Sequence, residues 1–181
     1  FTYAASIATQ FIQGGIYKKV LVIGAETLSK YVDWEDRNTC ILFGDGAGAA
    51  VFGEVEDGYG MLSFDLGSDG SGADAICIPS SGSLLPVSEE TIAKKLNLIQ
   101  MNGKEVFKFA VKAMGSTVKT SLKKIDMDAS KIDWLVPHQA NLRIIQSAAK
   151  RLSLPMEKVI VNIQKYGNMS AACIPVAMAE A

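Results

Sequence analysis

Apolar positions along the chain follow two periods, and their order predicts the fold. Residues 1–16 carry apolar side chains at 1, 4, 7, 8, 11 and 12, the spacing of one helix face, and Gly14-Gly15 supplies a stop. Lys19-Val20-Leu21-Val22-Ile23-Gly24 follows with no polar alternation, which predicts a strand buried on both faces, as in a parallel sheet. Residues 43–52, F-G-D-G-A-G-A-A-V-F, predict a strand whose backbone lies close to another element. Their spacing differs from G-x-G-x-x-G and lacks G-K-[ST], so it is no phosphate loop. Asp57-Gly58-Tyr59-Gly60 is a turn and the best boundary between two halves, 1–57 and 58–181. Residues 61–66 and 75–78 read as short strands around a Gly/Ser-rich stretch. Residues 79–100 are irregular, a loop with a short strand or a turn of helix in it.

The second half has a clearer period. Phe107, Val111, Met114, Val118, Leu122 and Ile125 recur at steps of three and four and predict a helix from Gly103 to Ile125. Ile132–Val136 predicts a strand. Pro137 and the polar corner His138-Gln139-Ala140-Asn141 follow, then a helix over 142–152 with Leu142, Ile145, Ala148, Ala149 and Leu152 on one face. Val159–Asn162 predicts another strand, 166–170 a polar turn, and a helix opens near Ala171 with Pro175 in its first turns. Alternating strands and helices give an α/β class with a mainly parallel sheet. Two loops at sheet ends stand out, His138–Asn141 and Gly167–Ser170. Each sets a hydrogen-bonding side chain before a helix start, where free N–H groups and partial positive charge favour an anionic or polarised group.

Composition narrows the classes. Of 181 residues, 49% are hydrophobic, enough for a sizeable core in one domain, or one and part of another. A net charge of −1 argues against a nucleic-acid binder, though a local basic patch remains compatible with it. No apolar run approaches a membrane span. Cys40, Cys77 and Cys173 are widely spaced and odd in number, which fits neither a disulfide framework nor a zinc site but does fit a reducing cytoplasm. Each reads as a small buried hydrophobe, with a nucleophilic role open. The first residue is Phe1, inside a helical pattern, with no basic-then-apolar leader, so no secretion signal is expected and a piece of a larger protein is. His138 is the only histidine; beside a sheet end it can exchange a proton or donate to a carbonyl, though a lone histidine is more often a surface or core residue than a catalyst. Residues 33–37, D-W-E-D-R, taken alone are a solvated loop.

V-P-H-Q-A-N-L-R-I-I, followed from Tyr166 by Y-G-N-M-S-A-A-C-I-P, resembles the β-ketoacyl-[acyl-carrier-protein] synthase III family, the condensing enzymes that start bacterial-type fatty acid synthesis. F-G-D-G-A-G-A, the D-W-x-D-R loop and M-N-G-K-E-V-F resemble it too. The resemblance implies a thiolase-like fold of αβαβα layers. Residues 1–57 would be the end of its first half and 58–181 most of the second, and the assembly a homodimer. It implies a Cys-His-Asn site with His138 and Asn168 as an oxyanion hole. The family's cysteine would fall just ahead of Phe1, and none of Cys40, Cys77 and Cys173 matches it. Cys173 stands where the family usually has serine and Met169 where it often has threonine, as tolerated neighbours of Asn168. The substrates implied are a short acyl-CoA and malonyl-acyl carrier protein, with no metal or redox cofactor. Arg37 would meet the coenzyme A adenine and phosphates, Asn141 and Gly103 the pantetheine arm. Phe107 would be a wall of the acyl tunnel or plain helix core. Arg143, Lys108, Lys150 and Arg151 would dock the acidic carrier protein, or lie singly on solvated faces. Two alternatives stay open: another Cys-His-Asn condensing enzyme of polyketide starter type, and a non-catalytic coenzyme A or carrier-protein binding module.

Overall fold

The structure, a computed structural model, describes residues 1–181. Helix α1 (Thr2–Gln13) ends at Gly14, with Gly15 at φ 69° turning the chain. Strands β1 (Lys19–Thr27) and β2 (Asp45–Gly53) pair antiparallel, from Lys19 opposite Gly53 to Thr27 opposite Asp45. This corrects two expectations. The pairing of this ladder is antiparallel, and β1 is covered on one face only: Val22 is 5% exposed, whereas Leu21 and Ile23 are 59% and 58% exposed. An unbroken apolar run says that both faces are apolar, and it does not say that this chain covers both.

Parallel pairing survives as two isolated bridges, Phe43 with Asn168 and Leu135 with Val159. The strands expected at 132–136 and 159–162 shrink to the second bridge, closed by Leu135 N–H to Lys158 O at 2.8 Å and Ile160 N–H to Leu135 O at 2.9 Å. Residues 61–66 form no strand. The irregular 79–100 region holds helix α2 (Glu89–Ala93), opened by a Ser88–Thr91 capping box. Short strands β3 (Ile76–Cys77) and β4 (Gln100–Met101) pair antiparallel.

Helices α3 (Gly103–Lys124) and α4 (Leu142–Arg151) form where the apolar period lies, and they pack on each other. Asn102 caps α3 and Asn141 caps α4. Ile145, Ala149 and Val159 make one core cluster with Leu135 and Val161 packed on it. The last segment has α5 (Ile163–Tyr166), a single turn at 170–172 and α6 (Cys173–Glu180). Met169, Ala172 and Cys173 form a second cluster beneath it. No helix is long and apolar enough to cross a membrane.

The residues around Asn168 lie on β1 and β2 through glycines. A Cβ on Gly44 would overlap the carbonyl oxygen of Tyr166, one on Gly46 would overlap the Met169 sulfur, and one on Gly48 would stand 2.9 Å from Val176 N. The close backbone approach expected of 43–52 is thus found, and its partner is the Asn168 loop with the start of α6. The approach lets Asn168 N–H reach Leu42 O at 2.7 Å and Gly44 N–H reach Asn168 O at 3.0 Å. Gly44→Ala should therefore lower unfolding free energy by about 1–3 kcal/mol, since backbone must move to admit the methyl. Gly70→Ala, where an added Cβ meets nothing within 4 Å, should stay within about 0.5 kcal/mol. Denaturant unfolding of the two variants checks this, and equal losses would contradict the close-approach argument.

Candidate active site

His138 stands on the corner that follows Pro137, where the Leu135–Val159 bridge has ended and α4 has not begun. Its own carbonyl accepts from Ala140 N–H at 3.0 Å, which closes the corner. The imidazole is largely buried. Burial pushes its pKa below the usual 6.5. A ring held neutral carries one N–H donor, and no group of this chain accepts from it.

Asn168 is set by the bridge to Phe43 and by Gly167, whose φ of 70° turns the chain into the loop. Its Oδ1 accepts from Ser170 N–H at 2.9 Å. Only the oxygen end of an amide can accept, so Nδ2 faces the other way, and it has no partner within the chain.

Cys173 joins the two loops. Its sulfur accepts from Met169 N–H at 3.1 Å and lies 3.8 Å from Asn168 Oδ1 and 4.0 Å from Gln139 O. It is fully buried, and burial pushes the thiol pKa up, so it is an inert thiol rather than a nucleophile. Cys40 and Cys77 are partly buried and take no part in the joint. In the sequence Cys173 reads as a tolerated neighbour of Asn168, Gln139 has no signal beyond its place beside the sole histidine, and Glu26 has none. Glu26 accepts from Ala171 N–H at 3.2 Å across 145 residues of sequence, a contact no local pattern signals.

Five of the residues proposed for substrate or docking roles meet in one place. Gly103, Phe107, Lys108, Asn141 and Arg143, with Lys104, line a groove of about 420 Å³ between the starts of α3 and α4. The Arg143 guanidinium lies 5.9 Å from the centre of the Phe107 ring, a cation over an aromatic face. Asn141 Oδ1 accepts from Arg143 N–H at 2.9 Å, which leaves its amide N–H₂ free. Three cations and no acid line the groove, so it favours an anion. Lys150 and Arg151 lie elsewhere: the stem of Arg151 packs by Gly115 on α3, and Lys150 is exposed near the end of α4. A larger hollow of about 700 Å³, between the end of α1 and residues 51–61, contains none of the candidate residues.

Arg37 is exposed on a loop that is tightly bonded within itself. Asp36 accepts from Asn38 N–H at 3.0 Å and from Thr39 Oγ1 at 2.9 Å, and Lys95 Nζ bridges Asp33, at 2.8 Å, and Glu35. These bonds hold the carboxyls of Asp33 and Asp36 below the ordinary carboxylate range.

Comparison with known proteins bears on the whole chain. The family model described as 3-Oxoacyl-[acyl-carrier-protein (ACP)] synthase III matches residues 1–70, and its C-terminal counterpart matches residues 122–181. The chain is 59% identical to the β-ketoacyl-[acyl-carrier-protein] synthase III of Natranaerobius thermophilus, over 100% of this chain and 56% of that protein. It is 58% identical to that of Desulfitobacterium hafniense strain Y51, over 100% of this chain and 55% of that protein. The crystal structure of 3-oxoacyl-[acyl-carrier-protein] synthase III from Aquifex aeolicus superposes with a TM-score of 0.86 at 44% identity, covering 99% of this chain and 54% of that one. The chain therefore spans about half the length of the curated relatives it matches. The fold is α/β and thiolase-like, like theirs.

The depressed pKa of His138 has a consequence for stability. Below 6.5 the unfolded chain takes up a proton that the folded chain resists. The contribution of the neutral imidazole is thus complete above 6.5 and is lost as pH falls toward the folded-state pKa. Urea midpoints should fall as pH drops from about 7 to about 5.5, and His138→Gln should flatten that slope. A slope that survives in His138→Gln would contradict the assignment.

Proposed function

Because the chain belongs to the 3-oxoacyl-[acyl-carrier-protein] synthase III family, we propose that the protein carrying it is a condensing acyltransferase. It joins a short acyl-CoA, acetyl-CoA first among them, to malonyl-acyl carrier protein with loss of CO₂, giving 3-ketoacyl-acyl carrier protein. The observation that carries this reading is a pair of unpartnered donors, the neutral imidazole of His138 and Nδ2 of Asn168, on two loops joined through one buried sulfur.

The reaction has two stages. A cysteine thiolate at the opening of α1, just ahead of Phe1 by family resemblance, displaces coenzyme A from the acyl thioester; the positive end of the helix favours the thiolate. Malonyl-acyl carrier protein then binds. As its carboxylate leaves as CO₂, the electron pair moves toward the thioester carbonyl and charge builds on that oxygen. His138 Nε2–H and Asn168 Nδ2–H donate to it, in place before the charge appears. The carbanion attacks the acyl-cysteine carbonyl, a carbon–carbon bond forms, and the carbon–sulfur bond breaks to return the thiolate. Loss of CO₂ drives the step, which calls for no metal.

The groove between α3 and α4 suits the entry side. Lys108 and Arg143 offer charge to an acidic carrier protein, and Asn141, Gly103 and Phe107 line the way for the pantetheine arm and acyl chain. Arg37, exposed on its braced loop, suits the adenine and phosphates of coenzyme A. Lys150 and Arg151, away from the groove, would extend the docking patch along α4. A homodimer working in the cytoplasm belongs to the same reading.

In the full-length protein, His138→Ala and Asn168→Ala should each lower condensation about 100- to 1,000-fold. Acyl-enzyme formation from labelled acetyl-CoA should persist in both. Condensation at the parental rate in either variant would overturn the reading. Arg143→Glu should raise KM for malonyl-acyl carrier protein, and the rise should shrink as salt is added. A KM that ignores both the charge and the salt would remove the groove from the docking surface.

A further inference from the structure

Gln139 has no exposed surface, yet its side chain points to no group that the condensation would use. All three of its hydrogen bonds go to backbone. Nε2 donates to Pro137 O at 2.9 Å and to Ile160 O at 3.1 Å, and Oε1 accepts from Asn162 N–H at 3.0 Å. These bonds begin where pairing between the two segments stops, since Ile160 N–H to Leu135 O is the last backbone bond between them. The amide thus takes the place of further ladder and fastens the residue before His138 to the neighbouring segment. On the other side of His138, the Gln139 carbonyl faces the Cys173 sulfur, which also lies against the Asn168 amide.

We infer that Gln139 is a positioning residue for the reaction. By fixing the backbone on both sides of His138, and by meeting Asn168 through Cys173, it sets the separation between the two oxyanion donors. The inference rests on the condensing reading above. Gln139 and Cys173 themselves have no exposed surface, so the separation they set is stiff: a shift at residue 137 or 139 moves the imidazole with it. Misplacing a donor by about 1 Å is enough to cost about a hundredfold in rate.

The test uses the full-length enzyme. Gln139→Glu keeps the shape but turns an oxygen toward the carbonyls of Pro137 and Ile160. Condensation kcat should fall about 10- to 100-fold, while KM for both substrates and the rate of acyl-enzyme formation stay within about twofold. In a His138→Ala background the same change should alter the residual rate by no more than about twofold, because the imidazole it positions is gone. If Gln139→Glu does not fold, Cys173→Ala, which empties the joint without adding charge, carries the same readouts in the same direction, with Cys173→Ser restoring the rate. Unchanged condensation in a folded variant, equal loss in acyl-enzyme formation, or additive loss in the His138→Ala background would overturn the inference. Parental condensation in His138→Ala alone would overturn the condensing reading and this inference with it. A loss there beside an intact Gln139→Glu overturns the inference alone.

Discussion

Asn168 owes its place to the bridge between its backbone and that of Phe43. Two backbone bonds make it, and glycines permit it, since side chains on the strand would strike Tyr166 and Met169. The bridge draws a loop from the end of the chain onto a strand from its beginning. With that loop fixed, α6 starts against β2, Cys173 sinks into the interior and Asn168 turns its amide outward. Remove the bridge and Asn168 has no fixed position. The constraint is steric first and hydrogen-bonded second, because the bonds form only if the backbones can approach.

The His138 corner is held differently. It has a single bridge of ladder, so a buried amide and a buried thiol do the holding. Polar groups buried together are stiff, since each lost bond would strand a partner away from water. The same burial keeps the imidazole neutral. Geometry and protonation state thus share one origin, the burial of the corner. That is the environment in which a fixed donor has most effect on a developing negative charge.

Much of this was legible in the sequence where the cause is local. Helices α3 and α4 follow from a sustained apolar period, their asparagine caps stand where capping chemistry wants them, and the small-residue strand announced a close neighbour. What failed was what depends on distant partners. In α1 the apolar stripe identified a helix, but Ala5, Ser6 and Ala8 are the buried residues while Ile7 and Phe11 are exposed. Small residues let the helix approach the strands, and size cannot be inferred from period. The apolar run of β1 predicts a strand covered on both sides of a parallel sheet; its ladder partner is antiparallel, and this chain covers one of its faces. At the site, His138 and Asn168 were visible as polar residues before helix starts. Gln139, Cys173 and Glu26 acquire meaning only from partners far along the chain.

The central claim is that one oxygen can be reached by both donors. It is tested most directly by a crystal structure of the full-length protein with a non-cleavable malonyl-thioester analogue bound. The account predicts one thioester oxygen within about 2.7–3.2 Å of both His138 Nε2 and Asn168 Nδ2. An ordered analogue whose thioester oxygen meets only one of them, or neither, would contradict it.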